Sequence, residues 1–96
     1  MYTVLRSDAF DTWLKGLKDK QAVVRILARI RSAEAGNLGD VKPVGEGVSE
    51  MRVHHGPGYR LYFMRQGKVV YLLLLGGAKR TQKRDIERAL DMAREL

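Results

Sequence analysis

The apolar residues change their spacing near residue 48, and this change restricts the fold more than any other feature of the chain. Before it, apolar residues recur every three or four positions, which is the spacing of an amphipathic helix. After it, apolar and polar residues alternate, which is the pattern of a strand with one face in a core. The sequence therefore predicts helices in the first half of the chain and a sheet in the second half.

A strand and two helices are predicted before this change. The segment from Tyr2 to Leu5 is β-branched and aromatic, as is typical of an edge strand. Ser7 is placed to cap a first helix, which breaks near Gly16. A second helix ends at Gly36-Asn37, and the Gly-rich segment from Asn37 to Gly47 is predicted to be a loop. The second helix is expected to turn its basic residues outward: Lys20, Arg25, Arg29 and Arg31.

Three strands and a final helix are predicted after the change. Two alternating segments flank the turn signal His55 to Gly58, and Gln66-Gly67 marks the next turn. Lys68 to Leu75 is a nearly continuous apolar run, as in a strand buried on both faces. Thr81 is placed to cap the last helix, which runs through Leu96. The predicted fold is α+β with the order β-α-α-β-β-β-α, and its antiparallel sheet has the helices packed on one face.

Composition excludes several classes of protein. The 96 residues, 45% hydrophobic and 30% charged, fit one folded domain spanning residues 1–96. The chain has no cysteine and two histidines, which argues against disulfides and a structural zinc site, so no metal or other cofactor is expected. The longest apolar run, Val69 to Leu75, is too short for a membrane helix, and no export signal is visible. We therefore expect a cytoplasmic protein without a membrane partner.

The charge balance favours a polyanionic partner, since 18 Lys and Arg face 11 Asp and Glu for a net charge of +7. Arg52 and Arg60 flank the predicted hairpin turn. One pairing sets Arg52 opposite Arg60 and Glu50 opposite Tyr62, whereas a pairing shifted by two residues sets Glu50 against Arg60. Either these are solvated residues with one ion pair, or two guanidiniums converge on a phosphate. The sequence leaves the register open.

A second basic group straddles the start of the last helix: Lys79, Arg80, Lys83 and Arg84. Cations in a first helical turn oppose the helix dipole, and a bound phosphate would remove this conflict. The alternative is a solvated basic face that keeps the protein soluble. His54 and Glu50 are titratable groups near the hairpin, and Tyr62 is placed to stack on a base or to donate a hydrogen bond.

Several strings of the second half form a recognisable set: Ser49-Glu50-Met51-Arg52-Val53, Gly56-Pro57-Gly58-Tyr59-Arg60-Leu61-Tyr62-Phe63, Leu74-Leu75-Gly76-Gly77-Ala78-Lys79, Gln82 and Asp85-Ile86. With a helical ending, they resemble the RelE/ParE toxin superfamily, and within it the HigB-like addiction module killer branch. The resemblance covers essentially the whole chain. It implies the toxin of a type II toxin–antitoxin module, held inactive by a cognate antitoxin that carries a helix-turn-helix domain.

The resemblance further implies a ribosome-dependent mRNA endonuclease that needs no metal. The residues that match the family's basic positions are Arg60, Arg52 and Lys79 or Arg80, whereas Glu50 stands where RelE-like enzymes carry a lysine. Glu50 and His54 are added as catalytic candidates from their places near the hairpin. The expected contacts to RNA are Lys79, Arg80, Lys83, Arg84 and Tyr62. The implied partners are mRNA on the ribosome and ribosomal RNA, and the free toxin is expected to be a monomer. Two alternatives remain: a ParE-like inhibitor of DNA gyrase without catalysis, and an inactive protein of this fold that binds only antitoxin or nucleic acid.

Overall fold

Five strands form one sheet in the computed structural model, which describes all 96 residues. The strands are β1 (Thr3–Arg6), β2 (Val41–Gly45), β3 (Val48–Val53), β4 (Tyr59–Gln66) and β5 (Val70–Ala78). The helices are α1 (Asp8–Gly16), α2 (Lys20–Glu34) and α3 (Gln82–Arg94), with a short 3-10 turn at Lys79–Thr81. The strand order is β1-β5-β4-β3-β2, with β1 parallel to β5 and the other pairs antiparallel.

Local capping explains where α1 and α2 begin. The Ser7 hydroxyl oxygen accepts a hydrogen bond from the Phe10 N–H at 3.0 Å and donates to the Leu74 carbonyl at 2.6 Å. Asp19 caps α2 by accepting hydrogen bonds from two backbone N–H groups of its first turn. The predicted Thr81 cap of α3 is wrong, because its hydroxyl faces the Asp85 carboxylate at 2.6 Å and the Ala78 carbonyl at 3.2 Å and accepts no hydrogen bond from an N–H of the helix. The predicted Ser7 cap is therefore confirmed.

The helices cover both faces of the sheet. On one face, α1 and α2 pack over the larger core, which includes Phe10, Ile26 and Leu61. On the other face, α3 packs over a smaller cluster: Val48, Tyr62, Leu74, Leu75 and Ala89. The prediction that the helices lie on one face is wrong, because the alternating residues of β3 and β4 supply a second apolar surface and the stripe of α3 buries it.

The α+β class and the predicted helices are confirmed, and the sheet has one strand more than predicted. Strand β2 lies inside the segment that was predicted to be a loop. Its proline, Pro43, and its terminal Gly45 weaken the strand signal in the sequence. Proline is tolerated there because β2 is an edge strand that pairs only with β3. None of the helices combines the length and hydrophobicity needed to cross a membrane.

Two glycines let both flanking helices approach β5 closely. A Cβ at Gly76 would lie 2.1 Å from Cε3 of Trp13 in α1. A Cβ at Gly77 would lie 2.0 Å from Oδ2 of Asp85 in α3. Both distances are far below van der Waals contact, so a larger residue at either position would push a helix away from the strand. The glycine pair thus fixes where α1 and α3 meet the end of β5.

We expect Gly76→Ala to lower the free energy of unfolding by about 1–3 kcal/mol, the usual cost of overpacking a core. The added methyl group forces the Trp13 ring off β5. Urea unfolding followed by circular dichroism measures the change. Gly16→Ala is the matched control, because a Cβ at Gly16 would meet nothing within 4 Å. Equal unfolding midpoints for the two variants would contradict this packing.

Candidate functional site

A pocket of about 340 Å³ opens between the β3–β4 turn and the end of β5. It is lined by Arg52, Val53, His54, His55, Gly56, Pro57, Gly58, Tyr59, Arg60 and Lys79. Arg52, Arg60 and Lys79 are cationic at neutral pH, and no carboxylate lies among the lining residues. The pocket therefore has the composition of an anion-binding site.

The strand register brings the two arginines together. Arg52 lies directly opposite Arg60, and Glu50 lies opposite Tyr62. The first of the two registers considered from sequence is thus confirmed. Lys79 joins the arginines because its backbone N–H donates to the Gly58 carbonyl at 2.9 Å, which ties the end of β5 to the turn.

One buried carboxylate holds this arrangement. Glu50 is 1% exposed, and its Oε1 lies 3.4 Å from Nη2 of Arg52. Its Oε2 lies 3.1 Å from Nε of Arg60. Gln82, at the start of α3, donates to the same Oε2 at 3.0 Å. Like charges that face each other across a sheet destabilise it, so the shared carboxylate is what allows Arg52 and Arg60 to lie side by side.

Most hydrogen-bonding capacity of the two guanidiniums remains unused inside the protein. Each guanidinium carries five N–H donors. Glu50 is the one side chain that pairs with either group, and it approaches one nitrogen of each. Lys79 forms no ion pair, so three cations face one carboxylate and the pocket keeps a net positive charge. Apart from the buried Nε atoms of Arg52 and Arg60, these free donors are available to an anion that enters the pocket.

Both histidines of the turn are bonded to aspartates. Nε2 of His54 lies 2.7 Å from Oδ2 of Asp40, and the His54 imidazole is 75% exposed at the rim of the pocket. This hydrogen bond holds the pKa of Asp40 below its usual value. Nε2 of His55 lies 3.0 Å from Oδ2 of Asp19, the residue that caps α2. The pKa of Asp19 is lowered mainly by its hydrogen bond from the α2 backbone and then by His55. His55 thus ties the turn to α2, whereas His54 faces solvent.

Some predicted site residues lie away from the pocket. Tyr62 has no exposed surface and packs beneath α3, and this burial raises the pKa of its hydroxyl. The prediction that Tyr62 stacks on a base is wrong, because α3 covers the ring completely. Arg80, Lys83 and Arg84 are exposed and line a neighbouring surface around the start of α3.

Two structural residues of the site were not predicted from sequence. Gln82 had no assigned role, and it contacts Glu50 across 32 positions of the chain. Arg29 was expected to point outward, but it is half-buried, and its guanidinium donates to the carbonyls of Arg52 and Leu38. Burial lowers the pKa of Arg29. The only sequence signal for Gln82 was its place in the string that follows β5, and no local pattern marks Arg29.

We expect Glu50→Gln to lower the free energy of unfolding by about 1–3 kcal/mol, less than the 3–5 kcal/mol of a fully buried pair because Arg52 keeps some exposure. The substitution leaves two facing guanidiniums without a negative charge between them. Urea unfolding measures the effect. Glu87→Gln serves as control, since Glu87 is exposed on α3 and forms no ion pair. Equal stability of the two variants would show that Glu50 does not hold the arginines.

His54→Ala should raise the pKa of Asp40 toward its usual value of 3.8. The pKa of Asp40 is lowered on folding, so its contribution to stability is present above pH 3.8 and is lost as the pH falls through the folded-state pKa. A carboxyl ¹³C NMR titration measures both aspartates in one sample. Asp19 is the internal control, because its partner is His55. An equal change in the pKa of Asp40 and of Asp19 would rule out a specific hydrogen bond between His54 and Asp40.

Comparison with known proteins agrees with this architecture. The family model described as "Phage derived protein Gp49-like" matches residues 12–95. A protein of Haemophilus influenzae, described only as uncharacterized, is 46% identical over 87 residues, which cover 91% of this chain and 88% of that protein. The HigB-like branch suggested by the sequence is not specified by these matches. The chain belongs to the Gp49-like phage-derived family, a toxin–antitoxin toxin family with the RelE/ParE-like fold.

Proposed function

We propose that this chain is the toxin of a type II toxin–antitoxin module and cleaves mRNA on the ribosome without a metal ion. The observation that carries the proposal is the convergence of Arg52, Arg60 and Lys79 on one pocket that no carboxylate lines. Membership in the Gp49-like family supports the toxin role. A cleaving site for RNA requires cations placed around one phosphate, and this pocket has that composition.

The two arginines are proposed to bind the scissile phosphate. Planar guanidinium groups match the geometry of phosphate oxygens and donate two parallel hydrogen bonds. Arg60 is the better placed of the two for transition-state stabilisation, because its side chain is only 12% exposed and its charge is less screened by water. As the phosphorus gains a fifth oxygen, these donors stabilise the added negative charge.

The proton transfers are proposed to involve the rim of the pocket. His54 takes the proton of the ribose 2′-hydroxyl, and Asp40 orients its imidazole. The 2′-oxygen then attacks phosphorus, the bond to the 5′-oxygen breaks, and a 2′,3′-cyclic phosphate forms. The positive charge of Lys79 stabilises the negative charge on the departing 5′-oxygen, which then takes a proton from water. Glu50 serves here as a positioning residue, because a carboxylate that is 1% exposed and paired with two arginines is poorly placed to take a proton from substrate.

The partners follow from the same proposal. A cognate antitoxin with a helix-turn-helix domain would hold the toxin inactive, and the free toxin would be a monomer. The exposed cations around the start of α3 would contact the RNA of the complex, mRNA or ribosomal RNA: Arg80, Lys83 and Arg84. Contacts of this kind weaken steeply with added salt, because binding releases counterions from the nucleic acid.

Arg60→Ala is expected to abolish growth inhibition in bacteria and to reduce RNA cleavage by about 100-fold or more, as for loss of one oxyanion donor. Arg60→Lys keeps the charge but loses the planar donors, so it should retain little activity. Primer extension on total RNA after induction measures cleavage, and circular dichroism verifies the fold of each variant.

Arg65→Ala is the matched control, since Arg65 lies on the same strand outside the pocket and should leave toxicity intact. Toxicity retained by folded Arg60→Ala protein would overturn the assignment of the pocket. An SOS response with intact transcripts would instead indicate a gyrase inhibitor. Induction of the unmodified chain without any growth defect would indicate an inactive member of the fold.

A further inference from the structure

A second groove, of about 470 Å³, lies between α1, α3 and the end of β5. Strand β1 pairs with β5 only as far as Leu73, so the edge of β5 beyond that point has no neighbouring strand. The backbone from Leu75 to Ala78 forms the floor of the groove, and α1 and α3 form its walls. Gly76 and Gly77 have no side chains to fill this space, and larger residues there would displace Trp13 and Asp85.

A row of arginines lines this side of the groove: Arg84 and Arg88 on α3, and Arg80 in the 3-10 turn before it. Residues four apart on a helix lie about 6 Å apart along its axis, so Arg84 and Arg88 present two charges at that spacing. Like charges at this spacing destabilise a helix, and cations near its start also oppose the helix dipole. Arg80 and Arg88 form no ion pair, whereas Arg84 pairs with Asp85, which also lines the groove, at 3.8 Å. Arg80 and Arg88 are thus free for an external anion, and the exposed Arg84 keeps donors beyond its one contact with Asp85.

The wall formed by α1 adds an aromatic ring and a hydroxyl. Trp13 lines the groove, and its ring is fixed against Gly76 and against the edge of Tyr59 at 6.1 Å between centroids. Thr12 lies beside it. A positively charged groove that tracks the backbone is one of the features by which proteins bind single-stranded nucleic acid, and the partly buried Trp13 gives this groove an aromatic lining.

We propose that this groove binds the phosphodiester backbone of single-stranded RNA, as a continuation of the strand held in the pocket, and this inference rests on the proposed function. Lys79 lines the pocket and its neighbour Arg80 lines the groove, so the two sites meet at the 3-10 turn. Phosphate groups repeat at regular intervals along an RNA strand, so successive phosphates can each meet one arginine of the row. An acidic protein segment fits less well, because the groove offers no large exposed aliphatic side chain as an anchor.

The test uses the double variant Arg84→Ala/Arg88→Ala and a matched control, Arg25→Ala/Arg31→Ala, which removes the same charge from the exposed face of α2. Both are made in the Arg60→Ala background so that the probe is not cut. The affinity for a fluorescein-labelled single-stranded RNA oligonucleotide is measured by anisotropy at several salt concentrations. Two lost phosphate contacts should reduce the slope of log K against log salt by about 1.4. The control should keep the slope unchanged.

Several results would overturn the proposal. Equal slopes for the groove variant and the control would show that only net charge matters. Displacement of the RNA by polyglutamate, with the same dependence on Arg84 and Arg88, would assign the groove to an acidic polypeptide. Failure of the groove is also separable from failure of the catalytic proposal. If the unmodified chain cleaves RNA and the groove variant binds RNA unaltered, only the groove proposal fails. If binding depends on the groove but no RNA is cleaved, only the proposed nuclease activity fails.

Discussion

The Glu50 carboxylate lies between two arginines of neighbouring strands, and the site depends on this contact. Without a negative charge there, Arg52 and Arg60 would repel each other in the register that the sheet imposes. The carboxylate also accepts a hydrogen bond from Gln82, so the same group links the strands to α3. Because Glu50 engages only one nitrogen of each guanidinium, it organises the two cations and leaves them able to bind an anion.

The end of β5 is where the remaining parts of the molecule converge. The Gly76-Gly77 pair allows α1 and α3 to approach the strand, and the 3-10 turn that follows carries Lys79 into the pocket and Arg80 into the groove. The two basic groups of the sequence therefore meet at one corner of the fold. Both groups are proposed to contact one polyanionic strand, and a bound phosphate there would offset the cost that cations carry at a helix start.

Sequence reasoning predicted most elements, since each depends on local periodicity and capping. It missed β2, because Pro43 weakens the strand signal in the sequence. The strand forms at the edge of the sheet because it pairs with β3. Sequence reasoning also misjudged Tyr62. The alternation correctly placed Tyr62 on the same face of the sheet as Glu50. At Tyr62, however, this face is buried from solvent, because α3 packs on it. Parity along a strand predicts which residues share a face, and only the packing of a distant helix decides whether water reaches that face.

The sequence by itself determined the α+β class, the two helices before the sheet, the basic character of the hairpin and of the segment after β5, and the resemblance to RelE/ParE toxins. These follow from spacing, charge and strings of neighbouring residues. The tertiary structure decided which of two registers is adopted, that one carboxylate serves both arginines, and that α3 crosses to the second face of the sheet. Such choices depend on contacts between residues far apart in the chain, whose energies no local pattern contains.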